Sequence, residues 1–196
     1  MNRYLYYFVP LLILASLTAC QSNMPVVDGQ LKKSVSHGDT LHLFQVLNTQ
    51  KTFKTRDNKV YYGFRFGEIQ QTQGAITGYP LSGDYEMLHF KKPLVKGSFK
   101  DGLKSGLWYE WDGAGVLRSV KSYRNGLYDG LSKTFDEEGK LITFQQYKND
   151  LRQGIGLYQN SSGPYYLKYK NDLVMDTLLT LNKAQQIKYG LLSVDE

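Results

Sequence analysis

Phe99-Lys100-Asp101-Gly102-Leu103-Lys104-Ser105-Gly106, Tyr123-Arg124-Asn125-Gly126-Leu127-Tyr128-Asp129-Gly130 and Tyr147-Lys148-Asn149-Asp150-Leu151-Arg152-Gln153-Gly154 are three versions of one eight-residue block. Their leading aromatics stand 24 residues apart twice over, so one structural unit is copied along the chain. A fourth block opens at Tyr169, 22 residues after Tyr147, and has lost its final glycine, as suits a terminal capping unit. Upstream, Gly83 lies 23 residues before Gly106 and is followed by a strand-like run over 85–90. The repeat region is therefore expected over 83–176.

Each unit reads as two antiparallel strands and two turns. An aromatic stands five residues after the closing glycine, at Trp111 and Phe135, and a turn follows at once: Asp112-Gly113-Ala114-Gly115 and Asp136-Glu137-Glu138-Gly139. Asp at the start of such a turn accepts backbone hydrogen bonds, and Gly at its end takes a positive φ. Second strands are expected at about 116–123 and 140–147. The Asn-Gly or Asn-Asp of the block then turns the chain into the next unit. The repeat-defining positions are Phe99, Gly102, Gly106, Tyr123, Gly126, Gly130, Tyr147, Gly154 and Tyr169.

Aromatic-basic-Asn-Gly-Leu-x-x-Gly at this period resembles the MORN repeat, in the bacterial variant found in proteins labelled YwqK-type antitoxins. Asp150 and Asp172 depart from that pattern in place of the second turn glycine. The resemblance implies an all-β fold, an antiparallel β-hairpin repeat array forming an extended, twisted sheet. It implies no single activity, since such arrays serve as assembly and membrane-associated modules.

At the other end, Arg3 precedes an apolar run over 9–17 that closes on Leu17-Thr18-Ala19-Cys20. The run falls short of the about 20 apolar residues of a membrane-spanning helix. It resembles a bacterial lipoprotein signal peptide over 1–19, with Cys20 as the lipidated first residue of the mature protein and 20–30 as a tether. That covalent lipid is the only cofactor-like group expected. Cys20 is the one cysteine, so its acylation leaves no disulfide to staple an exported fold. With Gln21 and not Asp after the cysteine, the sequence resembles an outer-membrane lipoprotein of the cell envelope, facing the periplasm.

Between tether and repeats, 31–82 is expected to supply degenerate hairpins, with strands at 41–47, 52–56, 60–63 and 68–73, that extend or cap the same sheet. Residues 177–196 are expected to form the far cap, as strands 178–181 and 187–191 or as a short helix. In the repeats, Leu117 and Tyr123 fall on one face and Val120 on the other, as do Leu141 and Tyr147 against Phe144, so both faces carry apolar surface. Aromatic rows on a single-layer sheet either pack within the array or form a docking surface. Tyr85, Trp108, Tyr109, Trp111 and Tyr128 stand off the block-leading positions and are the candidates for partner binding.

Catalytic chemistry is thinly represented. His37 and His42 lie five apart without further ligands nearby, so no metal site is expected. No nucleophile elbow, Walker loop or dinucleotide loop is present. The formal charge of +6 favours anionic partners such as lipid headgroups or cell-wall polymers; nucleic acid does not suit an exported chain. Lys100, Lys104, Arg124, Lys148, Arg152, Lys168 and Lys170 recur at turns, either lining one edge or keeping an open sheet soluble. The reading is a non-enzyme: a membrane-anchored scaffold that binds envelope proteins, for example within a secretion or assembly machine such as a type VI apparatus. The alternatives are an immunity protein against an envelope-acting toxin, or a lipoprotein binding glycan or peptidoglycan.

Overall fold

The computed structural model describes residues 29–49, 52–178 and 180–188. Cys20, the leader and most of the tether lie outside the described residues. Strands β1 (Gln30–His37), β2 (Thr40–Leu47), β3 (Val60–Arg65), β4 (Glu68–Gln73), β5 (Tyr79–His89), β6 (Lys92–Lys100), β7 (Leu103–Trp111), β8 (Leu117–Arg124), β9 (Leu127–Phe135), β10 (Leu141–Lys148), β11 (Leu151–Asn160), β12 (Gly163–Lys170) and β13 (Leu173–Leu178) form one antiparallel sheet, twisted and not closed. A short helix, α1 (Lys183–Lys188), follows. The array runs β1-β2-β5-β6 and then in sequence order to β13, so the expected hairpin array is the observed architecture.

The turns between units follow from their sequence. Asn125 and Gly126 have φ of 51° and 80°, the two positive values of the tight hairpin turn whose twist matches that of the strands. Asn149-Asp150 (51°, 68°) and Asn171-Asp172 (49°, 67°) adopt the same turn without glycine. A second interaction offsets the strain of Asp in this region. Asp150 donates its N–H to the Tyr128 carbonyl at 2.9 Å and its Oδ1 accepts from the Tyr128 N–H at 2.6 Å. Asp172 repeats this clasp on Arg152, with N–H to carbonyl at 3.1 Å and Oδ1 from the Arg152 N–H at 2.9 Å. Gly126 makes only the first bond, to the Lys104 carbonyl. Each unit is thus tied to the one before it at its turn.

The closing glycine of the block marks a β-bulge. β8 pairs with β9 as Lys121↔Ser132 and Tyr123↔Tyr128, so three residues centred on Gly130 face Ser122 alone. Gly130 has φ 115°, and a Cβ there would lie 2.7 Å from the Ser122 Oγ. In β7 the corresponding bulge carries Trp108 opposite Gly97 of β6, where a Cβ would lie 2.4 Å from the indole.

Following the registers across the sheet assigns two faces. The front face carries His42, Phe44, Tyr85, Phe99, Lys104, Trp108, Tyr123, Tyr128 and Tyr147; the back face carries Tyr109, Val120, Phe144 and Leu157. Each is covered at one end only. β3–β4 folds over the front face, held by Gly63↔Pro80 and Phe64↔Tyr79, and its Tyr62, Phe64 and Ile69 pack on Phe44, Val46, Leu81, Phe99 and Trp108. At the far end Leu181, beyond β13, joins Phe144, Ile155 and Leu157 of the back face in a second core.

Three expectations are corrected. β1 is a full strand beside β2, in a stretch of the expected hairpin region where no strand before 41 is anticipated. Residues 52–56 are not a strand but an irregular approach to β3, where the Arg56 N–H donates to the Tyr61 hydroxyl at 3.0 Å. Of the strand expected over 178–181, Leu178 instead ends β13 and the described residues 180 and 181 carry no strand; Asn182 and Gln185 exchange backbone-to-side-chain hydrogen bonds at 2.9 Å that start α1, so the helical alternative holds. Residues 189–191 lie outside the described residues.

Candidate functional site

The block-leading aromatics form one row along the front face. Ring centroids lie 5.4 Å apart for Tyr85–Phe99, 4.9 Å for Phe99–Trp108, 6.1 Å for Trp108–Tyr123, 4.7 Å for Tyr123–Tyr128 and 5.3 Å for Tyr128–Tyr147. The row resumes as Tyr169, Tyr158 and Tyr165, with Tyr158–Tyr169 at 6.4 Å and a Tyr158–Tyr165 stack at 5.6 Å. Antiparallel neighbours about 5 Å apart account for this spacing, since each unit delivers its aromatic to the same face.

The sixth residue of the block fills the gaps between aromatics. It is Lys104, Tyr128 and Arg152 in successive units. The Lys104 ammonium lies 4.2 Å from the Trp108 ring centroid and 5.1 Å from that of Tyr123; the Arg152 guanidinium lies 4.5 Å from that of Tyr169. Two of the cations expected to line a solvated edge are instead laid on ring faces. Arg152 also donates Nε–H to Asp172 at 2.9 Å. That bond raises the guanidinium pKa and lowers that of Asp172, so the pair stays charged.

Burial tunes the row. The Tyr85 hydroxyl is pushed up to about 12 by burial and then by Tyr62. Tyr123 is raised well above the ordinary phenol range by burial, reinforced by its hydrogen bond with Tyr128. Tyr147 and Tyr158 are also raised, by burial first. These phenols are neutral at physiological pH. They offer ring faces and hydroxyls beside Ser132 on the same face, which is equipment for recognition; Thr134 and Thr143 there bond each other, and Gln145 is buried with its amide held by Gln146, Gln153 and Tyr158.

The five candidate docking residues do not form one surface. Tyr85 and Trp108 lie beneath the β3–β4 roof, and Trp108 is 2% exposed, a core residue and not the open platform its position off the repeat implied. Its indole donates to the Ser98 carbonyl at 3.2 Å. Tyr109 and Trp111 stack on the back face at 5.8 Å. Tyr128 is half-buried between Tyr123 and Tyr147. Conversely Tyr147, set aside as structural, is half-buried like Tyr128, as are Tyr158 and Tyr165, which sequence reasoning did not single out. Their alternation in 158 and 165, paired across one hairpin, was the available signal.

His37 and His42 are not loop neighbours: His42 lies within β2, its Nδ1 2.9 Å from the Tyr85 hydroxyl, and its ring stands 6.2 Å from that of His37. Burial, then the charge of His37, lowers the His42 pKa. Among the described residues no three His, Cys, Asp or Glu side chains converge to hold a metal. No helix among them is long and apolar enough to cross a membrane. Compared with family models, curated proteins and solved structures, the chain finds no match in any of the three.

Proposed function

We propose that this chain is a non-catalytic, lipid-anchored scaffold of the bacterial cell envelope, a MORN-like array that holds a protein partner on its front face. Cys20 would fix the array to the outer membrane on the periplasmic side. The observation that carries the reading is the front-face row: the β3–β4 roof covers its first members, whereas Tyr128, Tyr147, Tyr158 and Tyr165 are half-buried with no described element packed over them, although Tyr169 among them is buried. A patch of ring faces interleaved with hydroxyls and one guanidinium is the composition of an interface core, where Tyr and Arg are enriched.

The test is crosslinking capture from the native envelope, with the wild type beside Cys20→Ser and Tyr147→Ala/Tyr165→Ala. The expected result is a multi-subunit envelope complex captured by the wild type, lost with the double substitution, and membrane release of Cys20→Ser. Capture of a single toxin-like protein moves the reading to an immunity protein. Capture of wall fragments alone moves it to glycan binding, for which the ring faces and phenol hydroxyls of the row are suited.

A further inference from the structure

A cavity of about 500 Å³ lies between the β3–β4 roof and the front face, a size that accommodates a small ligand. Tyr62 and Ile69 line it from the roof; Val35, Val95, Phe99 and Trp108 line it from the sheet. His37 and Glu68, both exposed, also border it, so it reaches solvent between the β1–β2 and β3–β4 turns.

Its charged groups are not equally committed. Glu110 lines the cavity, but its carboxylate accepts from Lys121 at 2.8 and 2.9 Å and from Ser119 at 2.7 Å. Burial pushes Glu110 up, and those hydrogen bonds more than offset it, so it stays ionised and internally satisfied. Glu68 stands at the exposed end of the roof. Lys104 is different. Its ammonium is met by the rings of Trp108, Tyr123 and Tyr62, the last at 5.8 Å. Its three N–H donors meet no oxygen acceptor among the described residues; burial lowers its pKa, and the charge of Glu110 on the same wall offsets that only in part, Lys121 holding the Glu110 carboxylate by hydrogen bonds. A half-buried cation with donors to spare, beside the apolar wall of Ile69, Phe99 and Trp108, is complementary to one negative charge on an apolar body.

We propose that this cavity binds a small amphipathic anion, its apolar body between Ile69 and the Phe99–Trp108 wall and its acidic group on Lys104. His42, oriented by Tyr85, supplies a neutral polar contact beside it. The site is separate from the open part of the front face, and its failure leaves the scaffold reading standing.

The test uses full-length protein carrying Trp111→Phe, which leaves Trp108 as the one tryptophan, and two probes with similar bodies. One is 1-anilinonaphthalene-8-sulfonate, which carries the charge, and the other is N-phenyl-1-naphthylamine, which does not. One sulfonate per chain should bind and quench Trp108. Lys104→Met should weaken the sulfonate roughly tenfold or more, the size of a lost charge-assisted contact, and leave the neutral probe unchanged; Lys104→Arg should retain binding. Equal effects on both probes, or no saturable binding, overturn the proposal. If Lys104→Met fails to fold, competition on the parent protein decides. Decanoate or 2-naphthoate must displace the sulfonate better than decanol or 2-naphthol, and equal displacement by acid and alcohol overturns the site. Which acid competes distinguishes a chain-shaped from a ring-shaped ligand.

Discussion

At the β5–β7 end, Phe99 and Trp108 on the front face are buried beneath the β3–β4 hairpin; at the β10–β11 end, Phe144 and Leu157 on the back face are buried beneath the segment carrying Leu181. The strands at both ends come from the same repeat, yet the core switches faces between them. The repeat dictates turns, bulges and the aromatic row, but a single-layer sheet cannot bury either face by itself. A segment outside the repeat must cover it, and the side covered is set by where that segment leaves the sheet. Among the described residues nothing packs over two diagonally opposed surfaces: the front face around Tyr128, Tyr147, Tyr158 and Tyr165, and the back face around Tyr109 and Trp111.

The largest effects should come from emptying the two cores. Trp108→Ala and Phe144→Ala should each cost about 3–5 kcal/mol in urea unfolding, since these side chains are 2% and 0% exposed. If the cores are separate units, hydrogen exchange in Trp108→Ala should quicken over β2 to β8 and leave β10 to β13 protected, as in repeat arrays with nearest-neighbour coupling. Uniform loss of protection in both variants would merge the two halves into one cooperative unit and break the comparison. Gly97→Ala should resemble Trp108→Ala, because its Cβ would meet the indole.

Alkali should strike next. An unfolded phenol titrates near about 10, whereas Tyr85 titrates at about 12 in the fold. A folded pKa raised above the unfolded one means stability that is complete below pH about 10 and declines as pH rises toward 12. Thermal melts across that window should fall for the wild type and fall less for Tyr85→Phe. An unchanged slope would show that the roof leaves Tyr85 hydrated.

These two ends also show what the residues alone disclose. Asn125-Gly126 announces its turn, because two positive φ values in a two-residue connection favour that chemistry, and the 24-residue period followed directly; the Phe90-Lys91 connection takes two positive φ values without it and was not legible. The closing glycine was visible as a pattern but not as a bulge: its cause, the Ser122 side chain opposite Gly130, belongs to the neighbouring strand. The roof was illegible for a similar reason. Tyr61 and Tyr62 point to opposite sides of β3, and only the tertiary contacts tell a sheet-extending hairpin from one folded over a face. Trp108 was misplaced because the vacancy that admits it is Gly97, eleven residues earlier on β6.

Substitutions in the repeat itself should be milder and alike in both halves. Gly130→Ala should cost about 1–3 kcal/mol, since φ 115° is strained for any side chain. The Asp turns offer a finer probe. Asp150→Ala keeps the positive φ and loses the acceptor for Tyr128, and should cost about 1–2 kcal/mol. Asp150→Gly loses the same bond but relieves the backbone, and should stay within about 0.5 kcal/mol of wild type. If both variants cost the same, the clasp and not the turn conformation carries the stability of these units.

A small stability effect is expected where the functional effect is greatest. Tyr165 touches the rest of the row through its stack on Tyr158, worth about 0.5–1.5 kcal/mol, so Tyr165→Ala should shift melting slightly and leave both cores intact. Capture of the envelope partner should nevertheless be lost, because Tyr165 belongs to the uncovered part of the row. The back-face variant Tyr109→Ala loses a comparable stack on Trp111 and should retain capture. That contrast separates the two open surfaces with one assay. Retained capture in Tyr165→Ala and loss in Tyr109→Ala would move the partner to the back face, and the front-face row would then be packing that happens to continue beyond its roof.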